Sequence, residues 1–204
     1  IIYPDTKSAS IFNDKYSNEE FKSFSENLLQ SFDVGIDNLT LKSEEFEVFL
    51  KNENLNLDGD IDEIKRQIDD DNVCIIDSDH YTISVVKEEN KYVVKRVVTN
   101  RTVNGRNIQF EIKEESDGTQ RLFDFIPLFN SLLTSDCTYI VDEFDRSLHP
   151  FLLHTLVRKI MDSKTKGQLI FTTHESSLLD CKIFRADEIW FVEKEKSTQS
   201  TQIY

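Results

Sequence analysis

The spacing of hydrophobic positions divides the chain into three stretches. Over residues 1–72 the period is helical. Phe21, Phe24, Leu28 and Phe32, with Leu29 beside them, follow Asn18-Glu19-Glu20 and predict an amphipathic helix. Ser43-Glu44-Glu45 opens a second candidate through Phe46, Phe49 and Leu50. Asp60 to Ile68 forms a third, with Ile61, Ile64 and Ile68 on one face. Acidic residues fill the opposite sides, as on solvated helix faces. Over 73–113 the run turns β-branched and aromatic. Val73–Ile76, Tyr81–Val86, Tyr92–Thr99 and Asn107–Ile112 read as an antiparallel meander, with turns at Glu88-Glu89-Asn90 and Asn104-Gly105.

From 114 to 193 helix and strand alternate. Leu122, Phe125, Ile126, Phe129 and Leu133 predict a helix over 119–133, kinked or broken in its first turn by Pro127. Thr138–Val141 reads as a short buried parallel strand. A helix over 150–162 carries Pro150 in its first turn, where the missing donor is harmless. A strand over 169–172, a short helix over 176–179 and a strand over 188–193 follow. Residues 194–201 read as a polar tail, and no internal repeat is present.

Composition narrows the function classes. The chain has 204 residues, a formal net charge of −14, 38% hydrophobic and 30% charged residues. With only 5 Gly and 3 Pro, it favours long regular elements over a many-stranded small barrel. An acidic surface repels phosphate backbones, so this segment alone is a poor nucleic-acid binder. Lys91, Lys95, Arg96, Arg101 and Arg106 form one basic stretch, read as charges that guard an edge strand rather than as a phosphate or partner contact. Cys74, Cys137 and Cys181 lie far apart, which favours reduced thiols in a cytosolic protein over a metal site or disulfide. Asp69-Asp70-Asp71 reads as a solvated helix end, and no second acidic cluster suggests a nuclease. No apolar run reaches the length of a membrane span, and no leader is visible. The first residue is Ile1 and not Met, so the native N-terminus is expected upstream.

Three places carry candidate chemistry. Asp142-Glu143 ends an apolar strand, where α/β sheets place ligands. One acid there can hold Mg²⁺ and the next can orient or deprotonate a water; a solvated strand end is the plain alternative. His174 closes the next strand and can bond a phosphate oxygen, or simply cap and pack. Ser116 and Gly118 open a helix, offering free amides to an anion, or an ordinary cap. Each signal is weak alone. In this order, with room for one helix and one strand in each gap, they reinforce one another.

On these residues the chain resembles the ABC-type ATPases. Ser116-Asp117-Gly118-Thr119 looks like the signature motif and Tyr139-Ile140-Val141-Asp142-Glu143 like Walker B. Ser147-Leu148-His149-Pro150 looks like the D-loop, and His174 like the switch histidine. The runs Glu-Ser-Asp-Gly-Thr, Asp-Glu-Phe-Asp-Arg-Ser-Leu-His-Pro and Phe-Thr-Thr-His-Glu are most similar to soluble prokaryotic AAA-family ATP-binding proteins of the abortive-infection and OLD-like defence kind. The resemblance implies an α/β fold, the C-terminal lobe of a P-loop NTPase with parallel core strands. A helical region (1–72) and an antiparallel β region (73–113) would form an insertion before the lobe at 114–204.

The same resemblance implies roles. Asp142 would support Mg²⁺, Glu143 would be the catalytic carboxylate, and His174 would contact the γ-phosphate. Ser116, Gly118 and Thr119 would reach ATP bound by a second copy of the chain, with Asp145 and Ser147 along that dimer interface. Two residues depart from the transporter pattern. Asp117 stands for a glycine, so its carboxylate should point away from the nucleotide, capping the helix. His149 stands for an aspartate. No G-x-x-x-x-G-K-[ST] occurs. That loop would precede Ile1, and the chain alone would be inactive.

The expectation is therefore ATP binding and hydrolysis by a soluble, cytoplasmic ATPase. It would act as a nucleotide-dependent dimerisation switch in phage defence or a DNA transaction, with an effector or nuclease partner. DNA would be touched only through regions outside this chain. The rivals are a non-catalytic dimerisation module and, less well supported, a transporter ATPase subunit.

Overall fold

The structure, a computed structural model, describes residues 15–53, 61–71, 73–179 and 182–204. Cys181 and the side chains of Asp69, Asp70 and Asp71 lie outside the described residues. Helix α1 (Glu19–Gln30) begins where Asn18 accepts hydrogen bonds from the amides of Glu20 and Phe21, with Glu19 and Glu20 complementing the positive helix end. It buries Phe21, Leu28 and Leu29.

Strand β1 (Asn38–Glu45) is the first departure from the sequence reading. Ser43-Glu44-Glu45 end this strand and do not open a helix; helix α2 (Phe46–Asn52) starts one residue later. β1 pairs antiparallel along β4 (Lys91–Val103), from Asn38 opposite Asn100 to Glu45 opposite Val93. The charged Lys42, Glu44 and Glu45 hid the two-residue alternation, and pairing with a long neighbour overrides local preference.

Helix α3 (Ile61–Asp71) leads into β2 (Val73–Asp77) and β3 (Thr82–Glu88), and β5 (Arg106–Glu111) follows β4. β4 is the centre of this antiparallel sheet. β1 takes one of its edges, while β3 and β5 share the other end to end, and β2 lies outside β3. The turns on either side of β4 use left-handed pairs, Glu89-Asn90 (φ 46 and 66) and Asn104-Gly105 (φ 52 and 75), as mirror-type turns require. Of the basic stretch, Lys91, Lys95, Arg96 and Arg101 thus lie on the central strand and guard no edge, whereas Arg106 begins β5, which among the described residues pairs with β4 alone. The four charges on β4 are met within the chain: Lys91 by Glu45, Lys95 by Glu88, Arg96 by Glu44, Glu53 and Glu111, Arg101 by Glu115.

Two hydrophobic clusters result. One joins α2, α3 and this sheet through Phe46, Phe49, Ile68, Ile83 and Val85. The other is built around helix α4 (Asp117–Thr134) and helix α5 (Pro150–Asp162), with α1 against them. Pro127 lies inside α4 and does not end it. It sits well beyond the first turn, and the burial of Phe123, Phe125, Ile126, Leu128 and Phe129 around it outweighs one lost hydrogen bond.

Strands β6 (Thr138–Val141) and β7 (Gln168–Phe171) pair in parallel, joined by α5. They are less buried than their composition predicts. Tyr139, Val141, Leu169 and Phe171 pack on the core, whereas Ile140 and Ile170 turn outward at 42% and 47% exposure. The expected strand over 188–193 is replaced by a 3-10 turn at Ala186–Glu188 and a later strand, β8 (Val192–Lys194). The polar tail closes an antiparallel hairpin with β9 (Thr201–Ile203). Among the described residues, no helix is long and apolar enough to cross a membrane.

Candidate functional site

Asp142 and Glu143 stand immediately after β6, and Thr172 stands immediately after the neighbouring β7. Parallel pairing brings these two strand ends level, Val141 lying opposite Phe171. The Thr172 hydroxyl then serves both acids. It donates to Asp142 Oδ1 at 2.5 Å and accepts from the Glu143 amide at 2.9 Å. The Thr172 carbonyl accepts from the Phe144 amide at 2.9 Å, so the one residue after β7 fixes three successive residues after β6. The acids themselves stay accessible, Asp142 exposed and Glu143 half-buried.

The loop that follows is bounded by two strained residues. Glu143 has φ 48 and Ser147 φ 64, a left-handed backbone that side chains other than glycine rarely adopt. Between them Phe144 is fully buried. Its ring lies 4.7 Å from Phe125 of α4 and 4.9 Å from Phe171 of β7. This aromatic plug holds the loop against the core while its polar neighbours face outward. Asp145 Oδ1 accepts from the His174 amide at 3.3 Å, which links the loop to the end of β7. The His174 side chain is exposed. His149 caps α5, its Nδ1 accepting from the Phe151 amide at 3.2 Å. Beyond His174, the Ser177 amide donates to Glu175 and holds that exposed carboxyl below its usual range.

Ser116 caps α4 by accepting from the Thr119 amide at 3.3 Å, and its hydroxyl lies 2.9 Å from that of Thr119. The cap is therefore Ser116 and not Asp117, which occupies the first helical position. Gly118 is in close contact with the loop after β6. A β-carbon there would meet the Ser147 carbonyl oxygen at 3.3 Å and Leu152 at 3.7 Å. The start of α4 and the loop between β6 and α5 thus form one continuous surface.

The sequence-derived candidates accordingly fall into two linked groups. Asp142, Glu143, Asp145 and His174 surround the ends of β6 and β7; Ser116, Gly118 and Thr119 sit at the start of α4, joined to the first group through Ser147. Thr172 and Phe144 were missed. The signal for Phe144 was an aromatic residue flanked by acids in an exposed run; Thr172 gave none, since threonine is ordinary in a strand.

Among the described residues, no group of three His, Cys, Asp or Glu side chains could hold a metal. Asp142 offers a single carboxylate. That suits Mg²⁺, which keeps several waters and binds through one or two carboxylates together with phosphate oxygens. A separate cavity of about 420 Å³ on the antiparallel sheet is lined by Glu53, Tyr81, Arg96, Glu111 and Lys113, and shares no residue with this site.

No curated protein matches the chain. Residues 15–180 match the family described as "AAA domain, putative AbiEii toxin, Type IV TA system". That match takes in the five-stranded antiparallel sheet, the β6–β7 pair and the whole of the site. The chain belongs to this AAA-domain family.

Proposed function

We propose that this chain carries the signature, Walker B, D-loop and switch elements of an ABC-type ATPase, and that ATP drives two copies of it together. The observation that carries the reading is the double hydrogen bond of Thr172, which aligns Asp142 and Glu143 at the end of paired parallel strands. On this reading Glu143 takes the proton of a water that attacks the γ-phosphorus. The bond to the β–γ bridging oxygen breaks, and ADP and inorganic phosphate leave. Mg²⁺ at Asp142 would neutralise charge on the β- and γ-phosphate oxygens. His174 donates to a γ-phosphate oxygen. Ser116, Gly118 and Thr119 present a hydroxyl and helix-start amides to ATP held by the partner copy. Ser147, in contact with Gly118, joins the two sites across the interface.

The chain contains no G-x-x-x-x-G-K-[ST], so hydrolysis takes a phosphate-binding loop supplied from outside these residues. The exposed Asp142 and His174 and the open start of α4 suit a surface that is completed on association. A cytoplasmic switch in defence or a DNA transaction is the setting we favour, with an effector or nuclease as the downstream partner.

The experiment is the solution mass of the full-length protein carrying Glu143→Gln, with and without Mg-ATP. A dimer that forms only with ATP supports the switch. A protein that binds no ATP and keeps one mass throughout overturns it, and leaves a non-catalytic interaction module as the better reading.

A further inference from the structure

We infer that Glu115 is a positioning residue through which the antiparallel sheet sets the start of α4, and that Thr99 and Arg101 of β4 are its anchors. The inference rests on the dimerisation reading above.

Glu115 directly precedes the cap residue Ser116. Its carboxylate is buried, the side chain only 4% exposed. A carboxylate in that setting is costly unless charge and hydrogen bonds satisfy it. Both come from β4. Thr99, itself fully buried, donates its hydroxyl to Glu115 Oε1 at 2.5 Å, and the Arg101 guanidinium pairs with Oε2. Arg101 is in turn held over the Phe110 ring at 5.5 Å. From the helix side, Gln120 Nε2 donates to the carbonyls of Glu115 at 2.8 Å and Lys113 at 3.2 Å. The residue before Ser116 is thus held from both directions, while Ser116 itself stays exposed.

This arrangement matters because β4 spans both hydrophobic clusters, with Val94 in the α2–α3 cluster and Val97 in the one around α4. Its first half packs with β3 in the α2–α3 cluster, and its second half carries Thr99 and Arg101. A helix start that must meet a ligand held by another molecule tolerates little displacement. A buried ionic anchor supplies that rigidity at one point. A tilt of the sheet relative to α4 then reaches Ser116 and Gly118 through the Glu115 carboxylate as well as through the short backbone connection over 112–114.

The test uses full-length protein with Glu143→Gln as the parent, adding Glu115→Gln, Thr99→Val or Thr99→Ser. Monomer affinity for Mg-ATP and the ATP-driven dimer dissociation constant are measured for each. The expected result is unchanged monomer affinity, with dimerisation weakened about tenfold or more by Glu115→Gln and Thr99→Val. Thr99→Ser, which keeps the hydroxyl, should restore it. Should Glu115→Gln not fold, the two Thr99 variants make the same comparison. Dimerisation at the parent's strength in Thr99→Val overturns the anchor, as does a parallel loss of nucleotide affinity and dimerisation. A parent that does not dimerise defeats the underlying reading instead, and is seen in the same experiment.

Discussion

Gly118 lies against the backbone of Ser147, so closely that an added β-carbon would sit 3.3 Å from the Ser147 carbonyl oxygen. Because the neighbour is backbone, relief requires movement of the loop. Gly118→Ala should also gain up to about 1 kcal/mol of helix propensity. Net stability should then stay within about 1 kcal/mol of the parent in urea denaturation. Dimer formation with ATP should nevertheless fall about tenfold, a loss of roughly 1.4 kcal/mol, measured by sedimentation in the Glu143→Gln background.

Thr172→Val removes a hydroxyl that donates to Asp142 and accepts from the Glu143 amide. Two groups lose a partner at once. We expect a stability loss of about 1–2 kcal/mol and a fall in kcat of about 10²-fold with little change in KM. Thr172→Ser should recover most of the rate. Steady-state kinetics of the full-length enzyme decides it.

Arg121 and Asp124 form a pair across one turn of α4, 3.5 Å apart and each 6% exposed in the side chain. The guanidinium also stacks on Phe125 at 4.6 Å. Asp124→Ala would leave a buried cation without this carboxylate. The expected cost is about 3–5 kcal/mol, read from the urea midpoint.

Burial raises the Glu111 carboxyl above its ordinary range, opposed in part by Arg96. Its neutral form is therefore more favoured in the folded chain than in the unfolded one. Glu111 contributes stability that is complete below the unfolded carboxyl pKa and is lost as pH rises through the folded value. Glu111→Gln, always neutral, should thus gain in stability relative to the parent on going from acidic to neutral pH. Denaturant midpoints of the two proteins at several pH values test the sign.

What was legible in the sequence follows from local signals. α5 begins at Pro150 because the cap and the proline announce it, and α1 follows its asparagine cap. β1 was hidden because Leu39 and Leu41 are followed by charges that resemble a helix start. β6 and β7 are apolar on both faces, so nothing in them shows that Ile140 and Ile170 turn outward. The order of Asp142, Glu143 and His174 placed them near one another, but only strand register puts Thr172 between the acids. Glu115 opens the Glu-Ser-Asp-Gly-Thr run, but nothing local marks it as buried; its burial depends on β4, more than a dozen residues earlier.

The left-handed backbone at Glu143 and Ser147 sets two demands on the same positions. Glycine would relax either one, and replacing a left-handed non-glycine residue can raise stability by about 1 kcal/mol. A selection for heat tolerance alone would therefore drift toward glycine there, discarding the acid and the hydroxyl. A selection that also required turnover would keep them, and the divergence of the two lineages at these positions would separate the demands of durability from those of chemistry.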